Sequence, residues 1–378
     1  MGKRPYEVKS KMLKKIDKVL LIAWILAIIS AFFVHPDKEY ISYIDFRSLG
    51  ILWGLMVIIQ GFKENSVFEK IAGVFLVKVK KTWQLTAVLV FMCFIGSMLI
   101  TNDVALITFV PFAIMILHNC DMEDMMIPVV VLQTIAANLG SMLTPIGNPQ
   151  NLYLYGLTGM GIFEFILILL PYSLLSAILL IICIVVISFK NKTSSPKKQT
   201  LITSKFGSKI QIIIYGGLFL VALLTVMRII PWEVFAVMVF IVVLGMDYKI
   251  LLRADYILLL TFIGFFIFTG NMGRINIVSE FIAKIIDGKE FIIAIILSQF
   301  ISNVPATLML SGFTTNYKEL LLGVNAGGLG TLIASMASLI SFKAYTKEYK
   351  ENSVKYVLIF TGLNIFFLIM LVVLKLII

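Results

Sequence analysis

Charge and reactive side chains are what this sequence has least of. Only 14% of its 378 residues are Asp, Glu, Lys or Arg, and it holds two histidines and three cysteines. The longest polar stretch is about 20 residues, which leaves no room for a separate soluble domain. Cys93, Cys120 and Cys183 are scattered without metal-ligand spacing, so they read as packing residues and predict neither redox chemistry nor a metal centre. His35 and His118 stand alone in predicted loops, where a histidine is simply solvated. No nucleotide-binding motif and no His-rich, paired-carboxylate or nucleophile–base cluster is visible, which argues against an enzyme and against a bound cofactor. The net charge of +11 comes from residues lying between apolar runs rather than from one patch, so it reports topology and not a nucleic-acid partner.

What is abundant is apolar surface. Hydrophobic residues make up 60% of the chain and mean hydropathy is +1.01, where a soluble domain holds about half. The chain is therefore predicted to be an all-α polytopic membrane protein embedded in a lipid bilayer. The first apolar run, 16–34, follows a basic leader without a small-residue cleavage site and reads as a retained span. Nine candidate crossings fall at 16–34, 44–62, 126–156, 163–189, 210–228, 232–246, 255–271, 319–341 and 354–378. Two further apolar regions, 82–117 and 290–313, are interrupted midway by TND at 101–103 and SNV at 302–304, and are expected to be re-entrant hairpins. With a cytoplasmic N-terminus this topology puts 24 of the 32 lysines and arginines inside, as cytoplasmic loops favour. The segment Val67 to Val79, with Glu69, Lys70, Lys78 and Lys80 among apolar residues, reads as an interfacial helix.

The chain repeats itself. DFRSLGILWG at 45–54 returns as DYILLLTFIG at 255–264, an offset of 210; the two tips follow at 201; LGSMLTPIGNPQN (139–151) is answered by LGTLIASMASLIS (329–341) at 190. Three ordered matches indicate a duplication. The predicted domains are an N-terminal repeat, 1–189, with hairpin 82–117 and broken helix 126–156; a basic cytoplasmic linker, 190–209; and an inverted C-terminal repeat, 210–378, with hairpin 290–313 and broken helix 319–341. Inverted repeats with interrupted helices are a common architecture of secondary transporters.

A turn at membrane depth must be buried in protein or line an aqueous cavity. Each tip is expected to open a new helix, near Val104 and near Pro305, and helix starts favour an anion. Pro145, Gly147 and Pro149 interrupt the first broken helix, and glycines and small hydroxyl residues loosen 327–338. The freed carbonyls, with the side chains of Thr101, Asn102, Ser302 and Asn303, are candidates to bind a cation such as Na+. Asp103 is the only acid the topology puts deep in apolar surroundings; it pairs with a cation, carries a proton, or caps the returning helix. Thr108, Ser141, Thr307 and Ser335 read as structural hydroxyls.

TNDVALITFVPF, LGSMLTPIGNPQN, SNVPATLML and their repeated order resemble the ion transporter superfamily, which includes arsenite efflux permeases, sodium/proton antiporters, citrate permeases and divalent-anion/sodium symporters. The similarity runs from about residue 45 onward and is closest to the short anion permeases of the arsenite/citrate-permease-like branch. By resemblance, substrate contacts fall on Asn102, Asp103, Asn148, Asn303, Val304 and Ser338, and coupling-ion contacts on Thr101, Asn102, Asp103, Gly147, Ser302, Asn303 and Ala337. Asp103 and Val304 stand where the divalent-anion symporters have threonines, and the second broken helix lacks their Pro-Pro-Asn ending. An acid at that position points to proton involvement or to a different anion. The resemblance also implies a homodimer, an elevator-like motion and a location in the inner, plasma membrane. The expected function is secondary transport of a small anion coupled to Na+ or H+. Sodium/proton exchange and arsenite efflux are the nearest rivals, and an ion channel is the rival from another class.

Overall fold

The computed structural model describes residues 17–76, 79–190 and 207–378. These form helices α1 (Lys18–Phe33), α2 (Phe46–Glu64), α3 (Val67–Leu76), α4 (Thr82–Ile100), α5 (Asn102–Asn119), α6 (Met126–Ser141), α7 (Pro149–Thr158), α8 (Ile162–Lys190), α9 (Lys209–Val226) and α10 (Trp232–Leu251). They continue with α11 (Tyr256–Arg274), α12 (Asn276–Ile286), α13 (Glu290–Ile301), α14 (Asn303–Leu310), α15 (Tyr317–Ala326), α16 (Met336–Thr346) and α17 (Ser353–Ile377). The chain is an all-α, multi-pass membrane protein. Lys78 and nearly all of the 190–209 linker lie outside the described residues.

Among the described residues nine helices are long and apolar enough to cross a bilayer, but they are not the nine expected. Both α4 and α5 qualify, at 19 and 18 residues, while α1 has only 16. Regions 126–156 and 319–341 are each divided, into α6 and α7 and into α15 and α16. The surface helix predicted over Val67 to Val79 is described over Val67–Leu76, and Val79 is not helical. Its counterpart α12 escaped prediction; there Ile277, Phe281 and Ile285, spaced four apart, form one exposed apolar stripe.

The order from α2 to α8 returns from α11 to α17: a long helix, a short one, two helices around a tip, two around a break, a long one. Local chemistry repeats with it. Asp45 and Asp255 both cap a long helix with nearly the same backbone angles, their carboxylates accepting from Ser48 N and Leu258 N at 3.0 Å. Between breaks, however, the matching register is 187 and not 190. It aligns Asn138 with Asn325, Gly140 with Gly327 and Thr144 with Thr331. The hydroxyls of that last pair donate to Met98 O and Gln299 O, themselves 201 apart. Gaps of three in short polar breaks carry little weight in sequence, so only the bonds decide the register.

Helix α6 packs along α4 and is enclosed on nearly every side, whereas α9, α10 and α17 keep most of their apolar surface outward, as lipid-facing helices do. Close approach rests on glycine. A Cβ on Gly140 would lie 2.0 Å from Phe94 O, and one on Gly327 would lie 2.7 Å from Ser298 Oγ. The two units interlock reciprocally: α5 packs on α16, and α14 packs on α7.

Gly140→Ala is accordingly expected to cost about 1–3 kcal/mol through overpacking. Its Tm in detergent should fall relative to wild type, while Gly245→Ala, with open space around it, should leave Tm unchanged or slightly raised.

Candidate functional site

Both tips are sharper than expected. The returning helices begin at Asn102 and Asn303, two residues before Val104 and Pro305, so Pro305 is the third helical residue, where its missing N–H still forfeits no intrahelical bond. The N-caps Thr101 and Ser302 take φ of 69° and 76° with ψ near 150°, a region almost reserved for glycine that costs on the order of 1–3 kcal/mol per residue. That conformation turns the next N–H away from its own hairpin. Asn102 N donates to Gly147 O at 3.0 Å, and Asn303 N donates to Ala334 O at 2.9 Å. Each tip is thereby tied to the break of its own unit, just before the helix that resumes there.

The breaks hold each other. Asn148 caps α7, accepting from Asn151 N at 2.9 Å, and its Nδ2 donates to Asn325 Oδ1 at 3.1 Å. Ser335, the N-cap of α16, donates to Asn138 Oδ1 at 3.0 Å. Since Asn138 matches Asn325 and Asn148 matches Ser335 at offset 187, these are one contact made twice with the units exchanged. Asn102 Nδ2 also reaches Asn138 Oδ1, at 3.2 Å, joining the first tip to the crossing. Asn325 Nδ2 donates to Asn151 Oδ1 at 2.8 Å, and Asn151 in turn holds the carbonyls of Ser141, Met142 and Thr144. In the second break Gln299 Nε2 does similar work on Gly327 O and Leu329 O, and Gly330, at φ 109°, leaves room for it.

Four helix N-termini, those of α5, α7, α14 and α16, therefore open onto one polar centre. Thr101, Ser302 and Ser335 make no side-chain cap bond there. The side chains bonded at the starts of α5, α7 and α16 are Asn and Ser, with no lysine or arginine among the described residues, and α14 is tied in through its backbone, Asn303 N donating to Ala334 O. Helix starts carry about half a positive charge each; the N–H groups of Asn102, Asp103, Asn151 and Asn303 already have acceptors, so the dipoles and the remaining first-turn N–H groups are what this centre offers an anion.

Other expected residues land as follows. Asp103 is the second residue of α5, not its cap; its carboxylate accepts no hydrogen bond among the described residues, while its own N–H donates to Asn102 Oδ1 at 3.0 Å. Val304 lines a cavity of about 100 Å³ with Pro305, Met336, Asp17 and Asp255, at the starts of α14 and α16. In the bonds they make, Gly147 and Asn148 correspond to Ala334 and Ser335, three residues before the Ala337 and Ser338 expected from the sequence offset. Those two residues lie in the first turn of α16, where Asn138 Nδ2 meets Ser338 Oγ at 3.4 Å. Ser141 and Thr307 bond backbone carbonyls as structural hydroxyls, but Thr108 Oγ1 is buried without a partner. His118 is helical rather than in a loop, and its ring nitrogen faces Glu123 at 3.0 Å and Tyr349 at 3.3 Å. Glu290, the first residue of α13, is buried, with one oxygen accepting from Thr314 and the other unpaired. Asn138, Asn151, Asn325 and Gln299 escaped sequence reasoning, although an Asn inside an apolar helix at a repeated spacing was a usable signal.

The strained tips yield a test. Thr101→Gly or Ser302→Gly relieves the positive φ, a gain of about 1 kcal/mol after the entropy glycine adds to the unfolded chain. Each variant should melt higher in detergent yet bind its solute less well, because a hydroxyl is lost from the site. Separately, Asn138→Ala combined with Ser335→Ala should show a non-additive interaction of about 0.5–3 kcal/mol in a double-mutant cycle.

A family model described as Citrate transporter matches residues 10–318. An uncharacterized transporter of Methanocaldococcus jannaschii is 32% identical over 338 residues, covering 87% of this chain and 90% of that one. Inner membrane protein YbiR of Escherichia coli is 28% identical, covering 86% and 87%. The Dictyostelium discoideum transporter arsB shares 25% identity over 39% of this chain and 26% of its own. A match across most of the chain, together with a polar centre enclosed by membrane helices, means that this protein belongs to the citrate transporter family and is a membrane transporter of the citrate and arsenite permease type.

Proposed function

We propose that the protein is a secondary active transporter that carries a small anion, inorganic or carboxylate, across the plasma membrane in exchange for work done by a Na+ or H+ gradient. The observation that carries this reading is the meeting of four helix N-termini in a centre whose polar network lacks any basic side chain. Asn102, Asp103, Asn148, Asn303, Val304 and Ser338 are the proposed substrate contacts. Thr101, Gly147, Ser302 and Ala337, with Asn102, Asp103 and Asn303, are proposed to surround the coupling ion.

The two units, 1–189 and 210–378, are read as inverted repeats whose hairpins enter and leave on one side. Support comes from the bond between Asn102 and Gly147, which holds the tip level with the middle of 126–158, and from the basic residues expected on the cytoplasmic side with the N-terminus. The hairpins and broken helices would then move together past a scaffold that includes α2, α9 and α10, with α3 and α12 as surface connectors, in a homodimer. Sodium/proton exchange is the second reading. It is favoured by Asp103, an acidic side chain in the first turn of an apolar, membrane-length helix.

A thermal-shift panel of purified protein against citrate, phosphate and arsenite, with and without Na+, separates the two. A solute bound at 100 times its Kd stabilises the folded state by about 2.7 kcal/mol, so one anion should raise Tm, and a Na+-dependent rise identifies the coupling ion. No shift with any anion, together with Na+/H+ exchange in anion-free proteoliposomes that Asp103→Asn abolishes, would replace the anion reading by cation exchange. Counterflow of labelled solute distinguishes either from a channel.

A further inference from the structure

Gln150, in the first turn of α7, is 2% exposed, and its side-chain oxygen is shielded from solvent with no donor in reach. Its polar neighbours in the same turn are used up. Asn148 caps the helix and reaches Asn325, and Asn151 holds three carbonyls of the break. A buried amide left open beside saturated ones is waiting for a partner.

Its direction follows from helix geometry. Gln150 precedes Tyr153 and Leu154 by three and four residues and so shares their flank of α7. Tyr153 OH lies 3.0 Å from Ser311 Oγ at the end of α14, and its ring packs on Phe266 of α11 at 5.4 Å. Gln150 occupies the same flank one turn nearer the helix start, as the second residue of α7, and hence nearer the polar centre. The matching residue of the other unit, at offset 187, is Ala337. The backbone of the centre is thus duplicated while this amide is present on one side only.

We propose that Gln150 contacts the cargo and determines its specificity, accepting a hydrogen bond from a hydroxyl of an oxyanion whose charged oxygens face the helix starts. The cargo class is then a hydroxylated small anion, a hydroxycarboxylate or a protonated inorganic oxyanion, rather than a plain dicarboxylate. This inference rests on the anion reading above.

Binding to purified protein is measured for pairs differing by one hydroxyl: citrate against tricarballylate, malate against succinate, and hydrogenphosphate against sulfate. In the wild type the hydroxylated member of at least one pair should bind about ten-fold tighter, the effect of one buried hydrogen bond made or left open. Gln150→Ala should bring that pair within about two-fold while the Tm of the ligand-free protein is retained. Gln150→Glu, which keeps the acceptor, should preserve the preference for the hydroxyl but bind both anions more weakly, and it serves if the alanine variant fails to fold. Equal binding of both members in the wild type, or discrimination that survives Gln150→Ala, overturns the role of Gln150 and leaves the anion reading standing. No binding of any member overturns both.

Discussion

A buried peptide N–H or C=O must find a partner within the protein, and here two such bonds carry the centre: Asn102 N to Gly147 O and Asn303 N to Ala334 O. Everything near them is arranged to make them. Thr101 and Ser302 accept an unfavourable φ so that the following N–H points across to the break. Gly140 and Gly327 let the first arm of each hairpin lie against the helix that leads to the break. The breaks, which forfeit helical bonds to expose those carbonyls, recover them through Asn151 in one unit and Gln299 in the other.

With the backbone so constrained, the units can differ only in side chains, and there they do. Asp103 is answered by Val304, Asn148 by Ser335, and Gln150 by Ala337. The repeated scaffold supplies helix starts that favour negative charge from two directions. The unmatched residues break that symmetry. The reciprocal bonds from Asn148 to Asn325 and from Ser335 to Asn138 hold the starts in register, although only α7 has a side-chain cap.

Much of this was legible in the chain. Apolar length and loop charge predicted an all-α membrane protein, and the tips stood out because Asn and Asp do not belong in lipid unless they have work to do. The duplication was visible in DFRSLG against DYILLL because an N-capping Asp must precede the same kind of helix twice. The break register was not, since any three-residue shift among Gly, Ser, Ala and Thr looks equally good until hydrogen bonds choose one. Asn138 and Asn325 were passed over because a polar residue in the middle of an apolar helix shows no partner in one dimension.

The sequence by itself determined the solvent, the number of apolar segments, their interruptions and their twofold order, because these follow from local hydropathy and from the residues that stop or start a helix. Only the tertiary structure decided which carbonyl each tip takes, which asparagine meets which cap, and which amide is left without a partner. Those choices depend on distances between segments up to 200 residues apart, and a linear pattern records the need for a hydrogen bond without recording where it is met.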